Sequence, residues 1–159
     1  MKASPTLTNN LQAVLADLIE LHLQGKQAHW NIVGANFRDL HLQLDEVIAD
    51  ARTFTDEIAE RMRALHAVPD GRSASVAKTT SIEPFPDGLI NTKDAVDRVV
   101  AALEATVGTV RKVHDQVDEE DPTSADLLHA VIAKLEQYAW MIGAENMKTN
   151  TSVTTPDHK

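Results

Sequence analysis

Two histidines, His29 and His41, flank a Gly-Ala-Asn break in the segment AHWNIVGANFRDLHLQLDE, which covers residues 28–46. If the chain turns near Ala35, each histidine lies six residues from the turn. In an antiparallel pair of helices the two side chains would then stand at the same height, where they can converge on one metal ion. Asp45 follows His41 by one helical turn and would lie on the same seam.

Two carboxylates lie further along the second predicted helix. Asp56 and Glu60 are four residues apart and share a helix face, a spacing that suits two ligands on one metal ion. His41 and Asp56 are 15 residues apart, which at 1.5 Å per residue is roughly 22 Å along the axis. Metal–ligand bonds are only about 2.0–2.2 Å long. One subunit therefore cannot close a site that contains both the histidines and the carboxylates.

Two subunits can close such a site. If the second helices of two chains pack antiparallel across a two-fold axis, His41 of one chain comes level with Asp56 and Glu60 of the other. Symmetry then produces two equivalent sites per dimer.

The composition restricts the chemistry of such a site. The chain has no cysteine, which excludes disulfides, thiolate catalysis and cysteine-ligated metals. Two imidazoles and two carboxylates suit Fe(II), Mn(II) or Zn(II), with iron favoured where open positions remain for an oxidant. Ligand type alone does not choose among the three.

Length and charge indicate the class of protein. The 159 residues suit a single domain, 1–159. With 24 acidic and 15 basic residues the net charge is −9, which argues against clamping nucleic acid by charge alone and favours the accumulation of cations. No apolar run approaches 18 residues, and the start MKASPTLTNN lacks the hydrophobic stretch of a signal peptide. We therefore expect a soluble, cytoplasmic protein without a membrane contact.

Apolar residues recur at helical spacing in four long segments. The segments are 7–33, 37–65, 92–117 and 122–147. Gly34 is expected to end the first helix, Asn36 to cap the second with Asp39 in a capping box, and Asn91 or Thr92 to cap the third. Pro122 suits the first position of the fourth helix.

The connections between these helices define the fold class. Residues 68–91 are rich in Pro, Gly, Ser and Thr and read as a long crossover, interrupted by a short helix near 74–80. A short, a long and a short connection predict an all-α, ferritin-like four-helix bundle whose long second crossover carries a short extra helix. Residues 1–6 and 149–159 are expected to be flexible tails.

The sequence resembles the Dps family, the small ferritins named as DNA-protection proteins from starved cells. The resemblance rests on KQAHWNIVGANFRDLHLQLDE, residues 26–46, and DEIAER, residues 56–61. The Glu-x-x-His signature of larger ferritins, which builds a di-iron site within one bundle, is absent. In the Dps family the matching residues form a ferroxidase centre between two subunits. The resemblance thus implies iron ligation by the set His29, His41, Asp56 and Glu60, with Asp45 a nearby member.

The resemblance also implies an assembly and a reaction. The family forms a hollow homo-dodecamer of tetrahedral symmetry, oxidises Fe(II) preferentially with hydrogen peroxide, and stores the ferric product inside. Asp121 and Asp126 match the acidic positions that line the family's three-fold pores. Trp30, beside His29, is placed to take up a stray oxidising equivalent in catalysis.

Each of these residues also has a simpler structural explanation that involves no metal or catalysis. An isolated histidine at a helix seam is more often structural than a ligand, and Asp56 with Glu60 could be a solvated face paired to Arg52 or Arg63. The acidic run at 118–121 could be a solvated helix end, and Trp30 could serve packing. The other histidines before the tail are expected to be isolated surface or interface residues; they are His22, His66, His114 and His129.

Two other functions compete with the ferroxidase. A nucleoid-associated shell would coat DNA, as many family members do through a lysine-rich terminus. Here residues 1–10 carry only Lys2, and the last twelve residues carry only Lys148 and Lys159, so the termini support DNA binding weakly. A helical oligomer with a purely structural zinc site would lack oxidation activity.

Overall fold

Four long helices and one short helix make up the computed structural model, which describes residues 1–148. They are α1 (Pro5–Asn31), α2 (Phe37–Ala64), the short α3 (Ser73–Thr79), α4 (Thr92–Glu120) and α5 (Pro122–Gly143), and a 3₁₀ turn follows at Ala144–Asn146. The four-helix bundle with a long second connection and an extra helix is therefore confirmed. The tail expected over 149–159 lies outside the described residues.

Each long helix buries one face against the others. In α4 the buried positions recur every three or four residues, and they include Val96, Val99, Leu103, Val110, Val113 and Val117. Fully burying a side chain of this kind contributes about 1.5–3 kcal/mol, so the apolar periodicity specifies which face packs inward. No helix within residues 1–148 has the length and hydrophobicity to span a membrane.

A two-residue parallel strand pair joins two connections of the bundle. Strand β1 (Ile32–Val33) pairs with β2 (Ile90–Asn91) in the register Ile32 with Ile90. The first helix was expected to run to Val33, but it ends at Asn31 because the next two residues are extended and paired. Gly34 follows the strand with φ 118°, so it makes the turn after β1 rather than ending α1.

The expected capping residues behave differently from each other. The Oδ1 of Asn91 accepts a hydrogen bond of 2.9 Å from the backbone N–H of Asp94, which confirms the cap of α4. Asn36 precedes α2 in the left-handed region with φ 56° and makes no side-chain cap. Its amide instead donates to Glu145 at 2.8 Å, so the predicted capping box with Asp39 does not form.

The start of the chain is held against two other elements. The Oγ of Ser4 caps α1 by accepting from the N–H of Leu7 at 3.1 Å, and it donates to Glu120 at 2.6 Å. The N–H of Ala3 donates to the carbonyl of Leu65 at 2.9 Å. The prediction of a flexible tail over residues 1–6 is therefore wrong from Ala3 onward. The hydrogen bonds from Ser4 to Glu120 also anchor the last turn of α4, which extends past the predicted end at Val117.

A buried carboxylate fixes the end of the long crossover. Asp17 is 1% exposed and accepts hydrogen bonds from Thr80 Oγ1 at 2.8 Å, from Ser81 N and Oγ at 2.7 Å each, and from Thr109 Oγ1 at 2.6 Å. A buried carboxylate without such donors would be strongly unfavourable. The crossover thus becomes part of the bundle through polar contacts that the apolar pattern does not reveal.

Gly25 allows α1 and α2 to approach closely, one turn before His29. A Cβ at this position would lie 2.8 Å from Cγ1 of Ile48, a distance that real side chains do not tolerate. By contrast, a Cβ at Gly108 in α4 would meet no atom within 4 Å. The two glycines therefore differ in what an added methyl group would do.

We predict opposite effects of alanine at the two positions. Gly108→Ala should raise the free energy of unfolding by about 1 kcal/mol, because glycine costs about that much within a helix. In Gly25→Ala the same gain is opposed by overpacking against Ile48, which costs about 1–3 kcal/mol. Denaturant unfolding of both variants checks this, and equal stabilisation by both substitutions would contradict the close approach.

Candidate metal centre

The rings of His29 and His41 stack across the seam between α1 and α2. Their centroids are 3.6 Å apart, and the planes are inclined by 22°. Each Nδ1 lies 3.0 Å from the backbone carbonyl oxygen of the other histidine. The predicted convergence of these two side chains is therefore confirmed, and their ligation of a metal stays a prediction.

The reciprocal hydrogen bonds select one tautomer of each ring. A carbonyl oxygen can only accept, so each Nδ1 must carry the hydrogen and donate it. The Nε2 atoms of His29 and His41 then keep their lone pairs. This is the usual preparation of a metal-ligating imidazole, in which a carbonyl or carboxylate holds the other ring nitrogen.

Asp45 joins the pair, and Lys26 holds it. One ligand atom from each of His29, His41 and Asp45 lies within 4.8 Å of the others, and they form the one such group of three or more within residues 1–148. The Nζ of Lys26 is 2.8 Å from Asp45 Oδ1, and the Nδ1 of His29 is 3.4 Å from it. The hydrogen bond from Lys26, with smaller contributions from the nearby histidines, lowers the pKa of Asp45.

Lys26 was not predicted from the sequence as part of the site. It precedes His29 by three residues, so the two side chains are neighbours on α1. That spacing was available in the sequence, but its partner Asp45 lies on a different helix. Only the structure shows that the ammonium group of Lys26 lies on one side of the candidate site, bound to Asp45.

Asp56 and Glu60 are exposed on α2 and are not brought to the histidines of the same chain. The uninterrupted helix from Phe37 to Ala64 preserves the roughly 22 Å rise between His41 and Asp56. Within the described residues neither carboxylate forms a salt bridge. The plainer reading, a pairing with Arg52 or Arg63, is thus not observed.

Asp56 lines an open groove between α1 and α2. The groove also contains His22 on α1, Arg52 on α2 and the backbone near Gly71. Burial lowers the pKa of His22, and the positive charges of Arg52 and Lys26 lower it further. A neutral imidazole and an unpaired carboxylate therefore face the same open space.

Trp30, beside His29 at the end of α1, is 69% exposed. It could pack against another chain or react with an oxidant, as the sequence suggests.

The two predicted pore residues lie in very different surroundings. Asp121 is 4% exposed. Arg61 Nη2 donates to its Oδ1 at 2.8 Å and to its Oδ2 at 2.7 Å, and Ser124 donates to it as well. Burial alone would raise the pKa of Asp121, but the hydrogen bonds from Ser124 and Arg61 outweigh it and lower the pKa. The carboxylate of Asp121 is thus fully used within the chain, whereas the side chain of Asp126 is 87% exposed. A pore role for either residue stays a prediction.

Comparison with known proteins places this chain in a family. A family model described as a ferritin-like domain matches residues 8–151. The DNA protection during starvation protein of Agrobacterium fabrum is 32% identical over 143 residues, covering 89% of this chain and 88% of that protein. The fine tangled pili major subunit of Haemophilus ducreyi is 33% identical over 148 residues, covering 88% of this chain and 78% of that protein.

A solved structure agrees in both fold and extent. Dps from Microbacterium arborescens in the high iron form superposes with a TM-score of 0.85 at 31% identity, covering 92% of this chain and 98% of that one. The similarity therefore extends over nearly the whole bundle.

The buried ion pair predicts a pH-dependent loss of stability. Asp121→Ala leaves Arg61 without its partner and should cost about 3 kcal/mol at pH 7, the lower end for a buried pair, because Arg61 keeps 23% of its side chain exposed. Since the pKa of Asp121 is lowered in the folded state, its contribution is complete above the unfolded value of about 3.9 and is lost as the pH falls through the folded value.

Denaturant unfolding at neutral and acidic pH measures this difference. The matched control is Asp118→Ala, which removes an exposed carboxylate from the same acidic run and should change stability by less than about 0.5 kcal/mol. Equal effects of the two substitutions would contradict a stabilising role of the Arg61 ion pair.

Proposed function

The chain belongs to the Dps family of ferritin-like proteins, and from that premise we propose that it is a ferroxidase that oxidises Fe(II), preferentially with hydrogen peroxide. In this proposal it works in the cytoplasm, stores the ferric product in a hollow homo-dodecamer, and thereby protects DNA from oxidative damage. The observation that carries the proposal is the stacked pair of His29 and His41 with both Nε2 atoms left available.

The proposed site is completed by a second copy of the chain. His29 and His41 from one subunit, with Asp45 beside them, would meet Asp56 and Glu60 from the other. The unpaired state of the two carboxylates supports this arrangement, because each retains its capacity to bind a cation. The open groove beside Asp56 offers the space into which the partner's histidines would fit.

Exposed apolar side chains around the α1–α2 connection, which His29 and His41 flank, support an intersubunit contact there. Four of them cluster in sequence around the α1–α2 connection, and they are Trp30 at 69%, Val33 at 43%, Phe37 at 43% and Leu42 at 46% exposure. Apolar surface of this extent favours contact with another protein surface. A two-fold contact through α2 would cover it while bringing the two halves of the site together.

The chemistry is a two-electron transfer. Two Fe(II) ions, bound as substrate, each lose one electron, and one hydrogen peroxide accepts both with two protons to give two water molecules. Because both electrons reach the same peroxide, no hydroxyl radical is released. Fe(II) is a divalent cation of the class that imidazole and carboxylate ligands bind.

Two neighbouring side chains have supporting roles in the proposal. Lys26 holds Asp45 at 2.8 Å and would have to release it before that carboxylate binds a second cation. Trp30, exposed and next to His29, would supply an electron to an oxidising equivalent that escapes the site. Neither role is required for the basic reaction.

The first test is anaerobic loading with Fe(II), followed by stoichiometric hydrogen peroxide. Wild type should oxidise iron rapidly without hydroxyl radical, and the double variant His41→Ala/Asp56→Ala should lose this activity while Asp118→Ala keeps it. Ferric absorbance and a radical trap are the readouts. Slow, equal oxidation by wild type and the double variant would refute the ferroxidase and leave structural zinc or DNA coating.

Mixing two single variants tests whether the site lies between chains. His41→Ala and Asp56→Ala homodimers should each be inactive, but a mixed dimer contains one intact site from the two undamaged halves. Random reassociation should restore about a quarter of wild-type activity, since half of the dimers are mixed and each has one of two sites. No recovery on mixing, with assembly intact, would argue against a shared site.

DNA coating is the alternative reading, and a gel shift separates it. The net charge of −9 per chain predicts no retardation of duplex DNA by the assembled shell at about 150 mM salt, where the screening length is about 8 Å. Retardation that disappears with rising salt would favour a DNA-coating shell. Iron oxidation in the same preparation would then decide whether both functions coexist.

A further inference from the structure

A second histidine pair lies in the seam between α4 and α5. The rings of His114 and His129 have centroids 4.4 Å apart and are inclined by 34°. Both were expected to be isolated surface or interface residues; they lie at least partly at the surface, but they are not isolated, because they contact each other. Their separation of 15 residues spans the α4–α5 turn, so they pair across antiparallel helices as His29 and His41 do.

One nitrogen of this pair is buried without a partner. The Nε2 of His114 is the one buried side-chain nitrogen or oxygen that lacks a hydrogen bond within residues 1–148, although the ring as a whole is 20% exposed. Leaving such an atom unsatisfied costs about 1–3 kcal/mol. A buried nitrogen of this kind calls for a partner, and a bound ion is one that would satisfy it.

A carboxylate supports the other nitrogen of His114. The Nδ1 of His114 is 3.2 Å from Asp115 Oδ1, whereas Asp126 Oδ1 lies 3.8 Å from the Nδ1 of His129, which is too long for a hydrogen bond but keeps a negative charge beside that ring. An ionised carboxylate accepts hydrogen bonds and so favours the tautomer with hydrogen on Nδ1. The lone pair then lies on Nε2, and a carboxylate behind a histidine is the common support of a metal-binding imidazole.

The pair is separate from the centre proposed above. The α1–α2 seam carries His29 and His41, whereas His114 and His129 lie in the α4–α5 seam on the other side of the four-helix arrangement. The surroundings are acidic, with the exposed carboxylates Asp115 and Asp126 next to the rings. A divalent cation would therefore be attracted to this seam.

We propose that His114 and His129 bind one divalent first-row transition-metal ion through their Nε2 atoms, with water completing the coordination. Imidazole ligands suit zinc, nickel and copper as well as iron. His129, with 60% of its side chain exposed, can turn to present its Nε2 beside that of His114. The proposal does not depend on the ferroxidase.

The test counts metal ions bound per chain. Zn²⁺ binding to the full-length assembled protein is measured by calorimetry, and Co²⁺ binding by its visible absorption. His129→Ala should bind one ion fewer per chain than wild type, because the affinity of this site falls by at least the roughly 10–100-fold that loss of a mere outer-shell partner costs. Asp126→Asn removes a negative charge near His129 and should lower the affinity for the same ion without removing its ligands.

Two control variants distinguish this site from the other. His66→Asn removes an exposed histidine with φ 61°, a conformation that asparagine tolerates, and should bind as wild type does. His41→Ala/Asp56→Ala should lose ions from the proposed ferroxidase centre and retain the one at His129.

The outcomes are decisive in each case. If His129→Ala binds as many ions as His66→Asn, the histidine pair is only a packed contact and the proposal is wrong. His129 is exposed, so its variant should fold even where a change at the more buried His114 does not. Failure of the ferroxidase assay would leave this count unaffected.

Discussion

The reciprocal hydrogen bonds between His29 and His41 are the contact on which the candidate site depends. Each ring donates to the backbone carbonyl of the other residue, so both rings are fixed in position and in tautomer by groups that must be present for the helices to pack. The close approach at Gly25 brings α1 and α2 near enough for this exchange one turn earlier. Packing and metal-ligand geometry therefore have the same origin.

Acidic residues in this chain have three distinct environments, which sequence letters alone do not separate. Asp17 and Asp121 are buried and receive all the donors they need from their own chain. Asp45 is exposed but held by Lys26. Asp56 and Glu60 are exposed and unpaired within the described residues. Of these three groups, the last can bind an ion without first giving up an existing partner, and the other two cannot.

Symmetry about a turn explains what was predictable from the sequence. Equal distances from the turn placed His29 and His41 together, and the apolar periods located four helices, because helical geometry converts spacing into position. The same reasoning applied to His114 and His129 would have found the second pair, since both flank the break before Pro122. It was missed because no adjacent motif drew attention to them.

Contacts between elements distant in the chain were not predictable in the same way. Asn36 carries the right residue type for a helix cap, but its backbone is left-handed with φ 56°, its Nδ2 donates to Glu145, and no cap bond forms. The ion pair between Asp121 and Arg61 joins residues 60 positions apart, and no local pattern announces it. The two-residue strand that ends α1 depends on a partner 58 residues later, since Ile32 pairs with Ile90. The local sequence determines which contacts a residue can make. Residues from distant parts of the chain decide which of those contacts form.

Helix rise sets the relation between assembly and chemistry in the proposed function. A continuous α2 keeps Asp56 roughly 22 Å from His41 in the same chain, so no rotamer change can unite them, and only a second chain can. Oxidation would then require assembly, and a newly made or dissociated subunit would hold only half of the ligands. Separation of the halves would thereby confine iron oxidation to the oligomer, where the ferric product can be enclosed.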